Sequence, residues 1–384
     1  MQRVLLAFEP PDGGVPEAVR QIALGVDVHG WEVEVAGPSE AVIHPALERA
    51  GIRVHRLTWE RQYGRPDRDA RAGAHLRRLL RRGRFDVVHA HSSKAGAIAR
   101  PAAAASGIPV VYSPHCFAFL GPVSAARRVL TLQIERVLGR ITARLLCVCE
   151  HERGIAVQSR VAPADRVEVV FNGTEPCDAT VTPDRRLSDL RGNGVLAAAI
   201  AVMRPQKRLD VLVDAAPRIL ARVPEARLAI VGEGPLEHDL RARAAALGLD
   251  EHPRFAFLPF TRPVDPYLHA LDAFVLCSER EAFPIGVLEA MACGVPQVCS
   301  NVGGVPEAVD AGTGRLVAAT DPGALANALV EVLGDPELRR SMAGASVERH
   351  AERFSVDRMV AQTSAVYSSV ITPRRSRRRA CSTS

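Results

Sequence analysis

Residues 281–309, EAFPIGVLEAMACGVPQVCSNVGGVPEAV, carry the densest pattern in the chain. Glu281 and Glu289 enclose the apolar run Ala-Phe-Pro-Ile-Gly-Val-Leu. Pro284 interrupts regular structure and Gly286 can open a helix, so the spacing predicts a helix from about Gly286 to Cys293. Glu281 then lies in the preceding loop and Glu289 in the first turns, both facing one crevice. A helix N-terminus offers unpaired N–H groups and a partial positive charge, which suits a phosphate. The strand-like PQVCS, the Gly303-Gly304 pair and a second helix opening near Pro306-Glu307 repeat the arrangement. Two helix N-termini flanked by carboxylates that accept hydroxyl hydrogen bonds read as a site for a phosphate carried on a polyol.

The same strand–helix alternation runs through the rest of the chain. RVLLAF, WEVEVAG, IRVHRL, FDVVHAH, IPVVYS, RLLCVC and RVEVVFN are short β-rich runs separated by helical patterns, the first of them from about Pro16 to Gly30. Strands that are apolar almost throughout are buried on both faces, which predicts an α/β fold with doubly wound parallel sheets. Ligands of such sheets bind beyond the carboxyl ends of the strands. At 384 residues two such domains fit. The expected division is a first domain over 1–173, a polar linker over 174–193, a second domain over 194–353, a helix over 354–370 crossing back to the first domain, and a disordered basic tail over 371–384.

Strand ends supply the candidate site residues. Gly13 and Gly14 follow the first strand and permit close backbone approach before a helix, although the loop is not a dinucleotide fingerprint. His91 and Lys94 follow FDVVHAH, and His115 follows IPVVYS; His89 alternates inward and reads as core. No carboxylate or thiolate accompanies these histidines at ligand spacing, so no metal is expected. In the second half, GVLAAAIAVMRPQKR ends on Arg204 and Lys207, and RLAIVGEGP ends on Gly232 and Glu233. Lys94 and Lys207 are the chain's two lysines among 49 basic residues, so Lys207 marks a place where a compact ammonium is wanted.

Glu281-Ala-Phe-Pro-Ile-Gly-Val-Leu-Glu289 and the following AMACGVPQVCSNVGGVPEAV resemble the E-x7-E signature region of retaining glycosyltransferases of GT-B architecture, glycosyltransferase family 4. The resemblance extends over about residues 1–370. It implies a sugar transferred from a nucleotide diphosphate sugar to an acceptor hydroxyl with retention, without a catalytic metal or other cofactor. Lys207 and the Gly13-Gly14 amides would meet the diphosphate. Glu281 would hold donor-sugar hydroxyls, with Phe283, Pro284, Ile285 and Gly286 lining the donor, and Glu289 the ribose. The Gly232-Glu233 loop would lie near the nucleotide. His115 would contact the sugar near the reacting carbon, and His91, Lys94 and His115 would face the acceptor. The family carries Arg where this chain has Val202, and Arg204 is the candidate replacement. A nucleotide-sugar 2-epimerase of the same fold and a non-catalytic nucleotide-sugar-binding protein are the rival readings.

Charge is uneven along the chain. Residues 1–175 hold 24 Arg and Lys against 18 Asp and Glu, whereas residues 176–373 hold 20 against 25. No recognition motif or aromatic interleaving accompanies the basic half, so nucleic acid is not an expected partner. RAGAHLRRLLRRGRF and VSAARRVLTLQIERVLGRITAR are amphipathic. They leave two readings open, a helix packed on the sheet with a solvated basic face, or reversible attachment to an anionic membrane. HSSKAGAIARPAAAASGIPVVYSPHCFAF resembles bacterial transferases that build surface polysaccharide or glycolipid, which implies a lipid-linked or polyol acceptor. Met1-Gln2-Arg3 runs straight into a strand and no apolar run approaches ~18 residues, so no leader or membrane span is expected and a cytoplasmic protein is. Cys147 and Cys149 lie on a likely strand, and Cys116, Cys277, Cys293 and Cys299 sit in apolar surroundings. The eight cysteines are expected to be reduced core residues, with neither a disulfide nor a metal framework.

Overall fold

The computed structural model describes residues 1–59 and 66–371. The first sheet comprises β1 (Gln2–Phe8), β2 (Trp31–Pro38), β3 (Arg53–Leu57), β4 (Val87–His91), β5 (Val110–Ser113), β6 (Arg144–Cys147) and β7 (Val167–Val169). Its order among the described residues is β3-β2-β1-β4-β5-β6-β7, all parallel. The second comprises β8 (Val195–Ile200), β9 (Ala226–Val231), β10 (Phe255–Leu258), β11 (Ala273–Leu276), β12 (Gln297–Ser300) and β13 (Gly314–Val317). Its order is β10-β9-β8-β11-β12-β13, again parallel. This is a GT-B architecture, two doubly wound domains across a crevice. Central strands read as continuous apolar runs because helices cover both faces, and Val4 to Phe8 of β1 are wholly buried.

Chain order reverses direction between β1 and β4 in the first sheet and between β8 and β11 in the second. The loops leaving those strands therefore open onto the crevice, and they carry residues 9–13, 92, 201–207 and 277–284.

Helix Val356–Val370 lies against helix Gly14–Gly25 of the first domain. Trp31 Nε1 donates to Ser364 Oγ at 3.0 Å, and His89 shares hydrogen bonds with Tyr367 Oη at 2.7 Å and Ser113 Oγ at 2.9 Å. His89 is buried, pushed well below its usual pKa by burial and then by His115, and is core as its alternation implies. Where the chain enters this crossing, a Cβ on Gly173 would run into the carbonyl of Ser355, so a side chain there would separate the two segments.

Several details differ from the sequence reading. The first helix spans Gly14–Gly25 and is followed by a short 3-10 turn, Val26–His29. Helix Arg185–Arg191, capped by Asp184, lies within 174–193 and buries Leu187 against the second sheet. β13 had no marker in the sequence, since GRLV is brief and its Arg315 sits at the edge of the sheet. The basic tail falls, from residue 372, outside the described residues.

The cysteine reading needs correction. Cys177 and Cys293 form a disulfide with a Cα separation of 4.9 Å, joining the segment after the first sheet to the end of the helix that carries Glu289. His269 lies 3.6 Å from Cys177 Sγ, so these three are the grouping at metal-ligand spacing among the described residues, and the two sulfurs are bonded to each other. Cys116 is exposed, while Cys147, Cys149, Cys277 and Cys299 are free and buried.

The two basic amphipathic segments also part ways. Helix Pro66–Gly83 turns Leu76 and Leu80 into the core, the packed arrangement. Helix Ala125–Gly139 does the opposite: Val129, Leu130 and Val137 are 59%, 60% and 56% exposed. It is held by Leu132, by buried Glu135 and by Arg136, whose Nε donates to the Ser159 carbonyl at 2.9 Å.

Candidate active site

Helix Ile285–Ala292 begins after Pro284, whose extended backbone lets the chain turn from the loop into the helix. Glu281 precedes it and Glu289 lies within it. Glu281 Oε1 accepts from Lys207 Nζ at 2.7 Å and from Ser278 Oγ at 2.6 Å. Lys207 stands in the short turn after β8, so the two central strands of the second sheet deliver an ammonium and a carboxylate to one point. Glu289 Oε1 accepts from Arg262 at 3.2 Å. Burial raises the Glu289 carboxyl above its ordinary range and the Arg262 charge pulls it back. Arg262 also lies 3.7 Å from Glu17, a buried carboxylate of helix Gly14–Gly25 in the other domain.

Arg204 points across the crevice. Its guanidinium donates to both carboxylate oxygens of Asp12, at 3.0 and 2.9 Å. The neighbouring Gly13 holds φ at +92°, a left-handed conformation that favours glycine. A Cβ on Gly14 would stand 3.8 Å from Ile285 Cδ1, so the first turns of the two facing helices approach each other closely. Arg204 and Ile285 of the second domain thus meet the Asp12–Gly14 turn of the first across the crevice.

On the first-domain side, His115 Nε2 and His91 Nδ1 share a hydrogen bond at 3.0 Å, with their rings stacked 5.3 Å apart. Burial depresses His115 to about 4 and His91 well below the usual range, so both are neutral imidazoles near pH 7. His115 and Cys116 have φ of +51° and +103°, an unusual turn for two residues with side chains.

Other expected site residues have partners within the protein. Lys94 is buried and pairs with Asp69 of helix Pro66–Gly83 at 3.1 Å. Phe283 is also buried, packed on Phe171 and Phe354, and its carbonyl accepts from Asn172 at 3.1 Å, which is structural work between the domains. Gly232 lies where a Cβ would strike the Ala201 carbonyl, and the Glu233 carbonyl accepts from Met203 at 2.9 Å while its carboxylate is exposed. The Gly232-Glu233 loop therefore braces the loop bearing Arg204. The Gly303-Gly304 turn is not an open phosphate cradle: the Gly304 amide donates to the Ala282 carbonyl at 2.9 Å, and its Cα packs against Cys149.

Asp12, Glu17, Arg262, Ser278, Glu152 and Glu307 enter the site without having been singled out as ligands. Glu307 accepts from the backbone amides of Glu150 and His151 at 2.8 and 2.7 Å, so a carboxylate of the second domain caps a helix of the first. Its sequence signal, a helix opening after Gly303-Gly304, was visible; its partner was not.

The chain matches the family described as "Glycosyl transferase 4-like domain" over residues 13–173 and "Glycosyl transferases group 1" over residues 182–349. It is 32% identical to the D-inositol 3-phosphate glycosyltransferase of Kribbella flavida across 78% of this chain and 74% of that one. The chain belongs to the group 1 glycosyl transferases. As a member it is a glycosyltransferase, and the Lys207–Glu281–Glu289 cluster occupies the crevice where the fold places ligands. The UDP-Gal:alpha-D-GlcNAc-diphosphoundecaprenol alpha-1,3-galactosyltransferase of Escherichia coli is 28% identical across 71% of this glycosyltransferase and 72% of its own length. Among solved structures, Anabaena HepE in complex with UDP and glucose superposes with a TM-score of 0.82 at 22% identity, covering 96% of this chain and all (100%) of that one. A UDP-N-acetylglucosamine 2-epimerase structure from Listeria monocytogenes, described as putative, superposes at 0.69 and 16% identity over 96% of each chain. Both likenesses speak to the fold and leave the reaction to the site.

Proposed function

We propose that this glycosyltransferase moves a sugar from a UDP-sugar to a hydroxyl of a lipid-linked acceptor, with retention of configuration and without a catalytic metal. The observation that carries the reading is the Lys207–Glu281 pair, set at the ends of β8 and β11 opposite the neutral His115. UDP is favoured as nucleotide by the names of the Escherichia coli relative and the HepE complex. Charge growing on the leaving diphosphate would meet the Lys207 ammonium, the Arg204 guanidinium and the amides at the starts of helices Gly14–Gly25 and Ile285–Ala292. Glu281 would accept donor-sugar hydroxyls and Glu289 the ribose hydroxyls. A neutral His115 can hydrogen-bond the sugar without repelling the positive charge that develops at its reacting carbon. The acceptor oxygen attacks on the face the diphosphate leaves; the C1–O bond to phosphate breaks, the C1–O bond to acceptor forms, and a diphosphate oxygen takes the acceptor proton. Arg204 must leave Asp12 to reach the diphosphate, so donor binding trades an interdomain ion pair for a ligand contact.

The test is incubation of the pure protein with UDP-sugars and a short-chain lipid-diphosphate-sugar acceptor, with product anomers read by NMR in the presence and absence of EDTA. Retained configuration and EDTA-insensitive turnover are the expected results. An inverted product, or turnover abolished by EDTA and restored by Mg²⁺ or Mn²⁺, would remove the corresponding part of the reading. Conversion of the sugar on donor alone would instead make the protein an epimerase.

Peripheral contact with the inner face of the cell membrane belongs to the same proposal. No helix among the described residues is long and apolar enough to cross a membrane. Helix Ala125–Gly139 offers a surface that can lie on one: Leu130, Ile134, Val137 and Ile141 form an exposed ridge at helical spacing, flanked by exposed Arg127, Arg128 and Arg140. Apolar side chains entering the headgroup layer and guanidiniums on anionic lipid account for both halves of that surface. The nearby Leu120 carbonyl accepts from Arg280 at 3.0 Å, which connects this face to the loop of Glu281. The double variant Leu130→Asp, Val137→Asp should lose at least about tenfold in binding to vesicles of phosphatidylglycerol and phosphatidylcholine, with turnover on a water-soluble acceptor unchanged. Equal sedimentation of variant and parent with those vesicles would exclude this face.

A further inference from the structure

Glu152 is a buried carboxyl for which the reaction as described has no use. It lies in helix Glu150–Gln158, and its Oε2 accepts from the amide of Val148 at 2.9 Å, which closes the helix start. Capping needs no more than that one oxygen. Oε1 reaches out of the helix to another strand's loop and accepts from the amide of Cys116 at 2.7 Å. Cys116 follows His115 directly, and these two residues hold the pair of positive φ angles, +51° and +103°. Left-handed backbone at two successive residues with side chains is unfavourable by itself and persists where surrounding contacts determine it. The Glu152 carboxylate makes such a contact from beneath.

The turn it fixes faces the donor loops. Cys116 lies within electrostatic reach of Glu152, of Arg280 and, across the crevice, of Glu281. The segment bearing Glu152 is also gripped from the second domain, where Glu307 accepts from Glu150 and His151 and the Ala282 carbonyl lies 3.3 Å from Cys149 Sγ. Residues 148–152 therefore lie between the His115 turn and the loop that carries Glu281.

We propose that Glu152 is the positioning residue for His115: its carboxylate holds the His115–Cys116 turn in the left-handed region and so sets the imidazole against the transferring sugar. The inference rests on the assignment of His115 to the donor sugar. Displacing a group that must be in place in the transition state lowers turnover more than binding. Glu152→Gln keeps the shape but places an amide NH2 donor where one backbone N–H needs an acceptor, and Glu152→Asp keeps the carboxyl group with a shorter reach.

The experiment is a double-mutant cycle with His115→Ala, measuring kcat and donor KM for each variant and its melting temperature. Glu152→Gln should lower kcat by roughly 10- to 100-fold with donor KM changed by less than about threefold, and should add almost nothing once His115 is alanine. Independent, multiplying losses would overturn the proposal, as would unchanged kcat in Glu152→Gln. Should Glu152→Gln fail to fold, Glu152→Asp takes its place in the cycle under the same criteria. A silent His115→Ala would overturn the assignment of His115 itself, whereas an impaired His115→Ala beside a fully active Glu152→Gln would overturn the positioning role alone.

Discussion

Lys207→Ala lowers turnover by about 10²-fold or more, because removing one charged donor from a leaving group in a closed cleft costs ~3 kcal/mol in the transition state. The Nζ stands 2.7 Å from Glu281 and is partly shielded from water, so the ammonium is already fixed where a diphosphate would arrive. Its loss has a second consequence: Glu281 keeps Ser278 as a donor but loses its counter-charge, and an uncompensated carboxylate then faces the diphosphate. Lys207→Arg does not restore the parent rate, since a planar fork cannot occupy the place of a compact point charge beside Ser278 and Glu281. Initial rates at saturating donor and acceptor, with a melting curve to show that the variant is folded, decide the matter. Near-parental turnover would remove Lys207 from leaving-group stabilisation and shift that role to Arg204.

The fold was legible because parallel strands buried on both faces leave a strong mark: VLLAF and VLAAAI are apolar without alternation, and the helices between such strands are amphipathic. The Glu281–Glu289 loop and helix were legible because Pro284 and Gly286 punctuate the local backbone. What escaped the sequence depends on partners far along the chain. Cys177 and Cys293 are separated by 116 residues, and each sits in an unremarkable local setting, so their bond follows only from the docking of the two elements. Periodicity established that helix Ala125–Gly139 has an apolar stripe; it could not give the direction, because polar contacts through Glu135 and Arg136 hold the opposite face. Lys94 was singled out by its place after a strand and Phe283 by the family resemblance, and the partners that the fold gives them, Asp69 and the Phe171–Phe354 cluster, come from distant parts of the chain. The Gly303-Gly304 pair signalled close approach correctly, with protein on the other side of the contact in place of phosphate.

Glu135→Ala destabilises the first domain by about 3–5 kcal/mol, the usual consequence of removing one partner from a buried ion pair. Arg100 is wholly buried, and its guanidinium donates to Glu135 Oε2 at 2.7 Å while stacking 3.9 Å over the Tyr112 ring. Tyr112 Oη donates to the other carboxylate oxygen at 2.9 Å. Without Glu135 the guanidinium keeps the Gly96 carbonyl and the ring face, and neither neutralises its charge. The loss falls on helix Ala125–Gly139 in particular, since its Val129, Leu130, Ile134 and Val137 face solvent and this buried pair ties it to helix Ser93–Ala104. Amide exchange should therefore rise first in residues 125–139, ahead of β4 and β5. Glu135→Leu combined with Arg100→Met removes both charges with similar volume and should recover most of the stability, because the desolvation cost disappears with the pair. Urea unfolding of the three proteins separates the alternatives. A loss below about 1 kcal/mol in Glu135→Ala would mean that water or backbone reaches Arg100 in its place. Recovery of stability in the double variant, with vesicle binding retained, would show that the pair serves to seat the exposed ridge and that its charge takes no part in the contact with lipid.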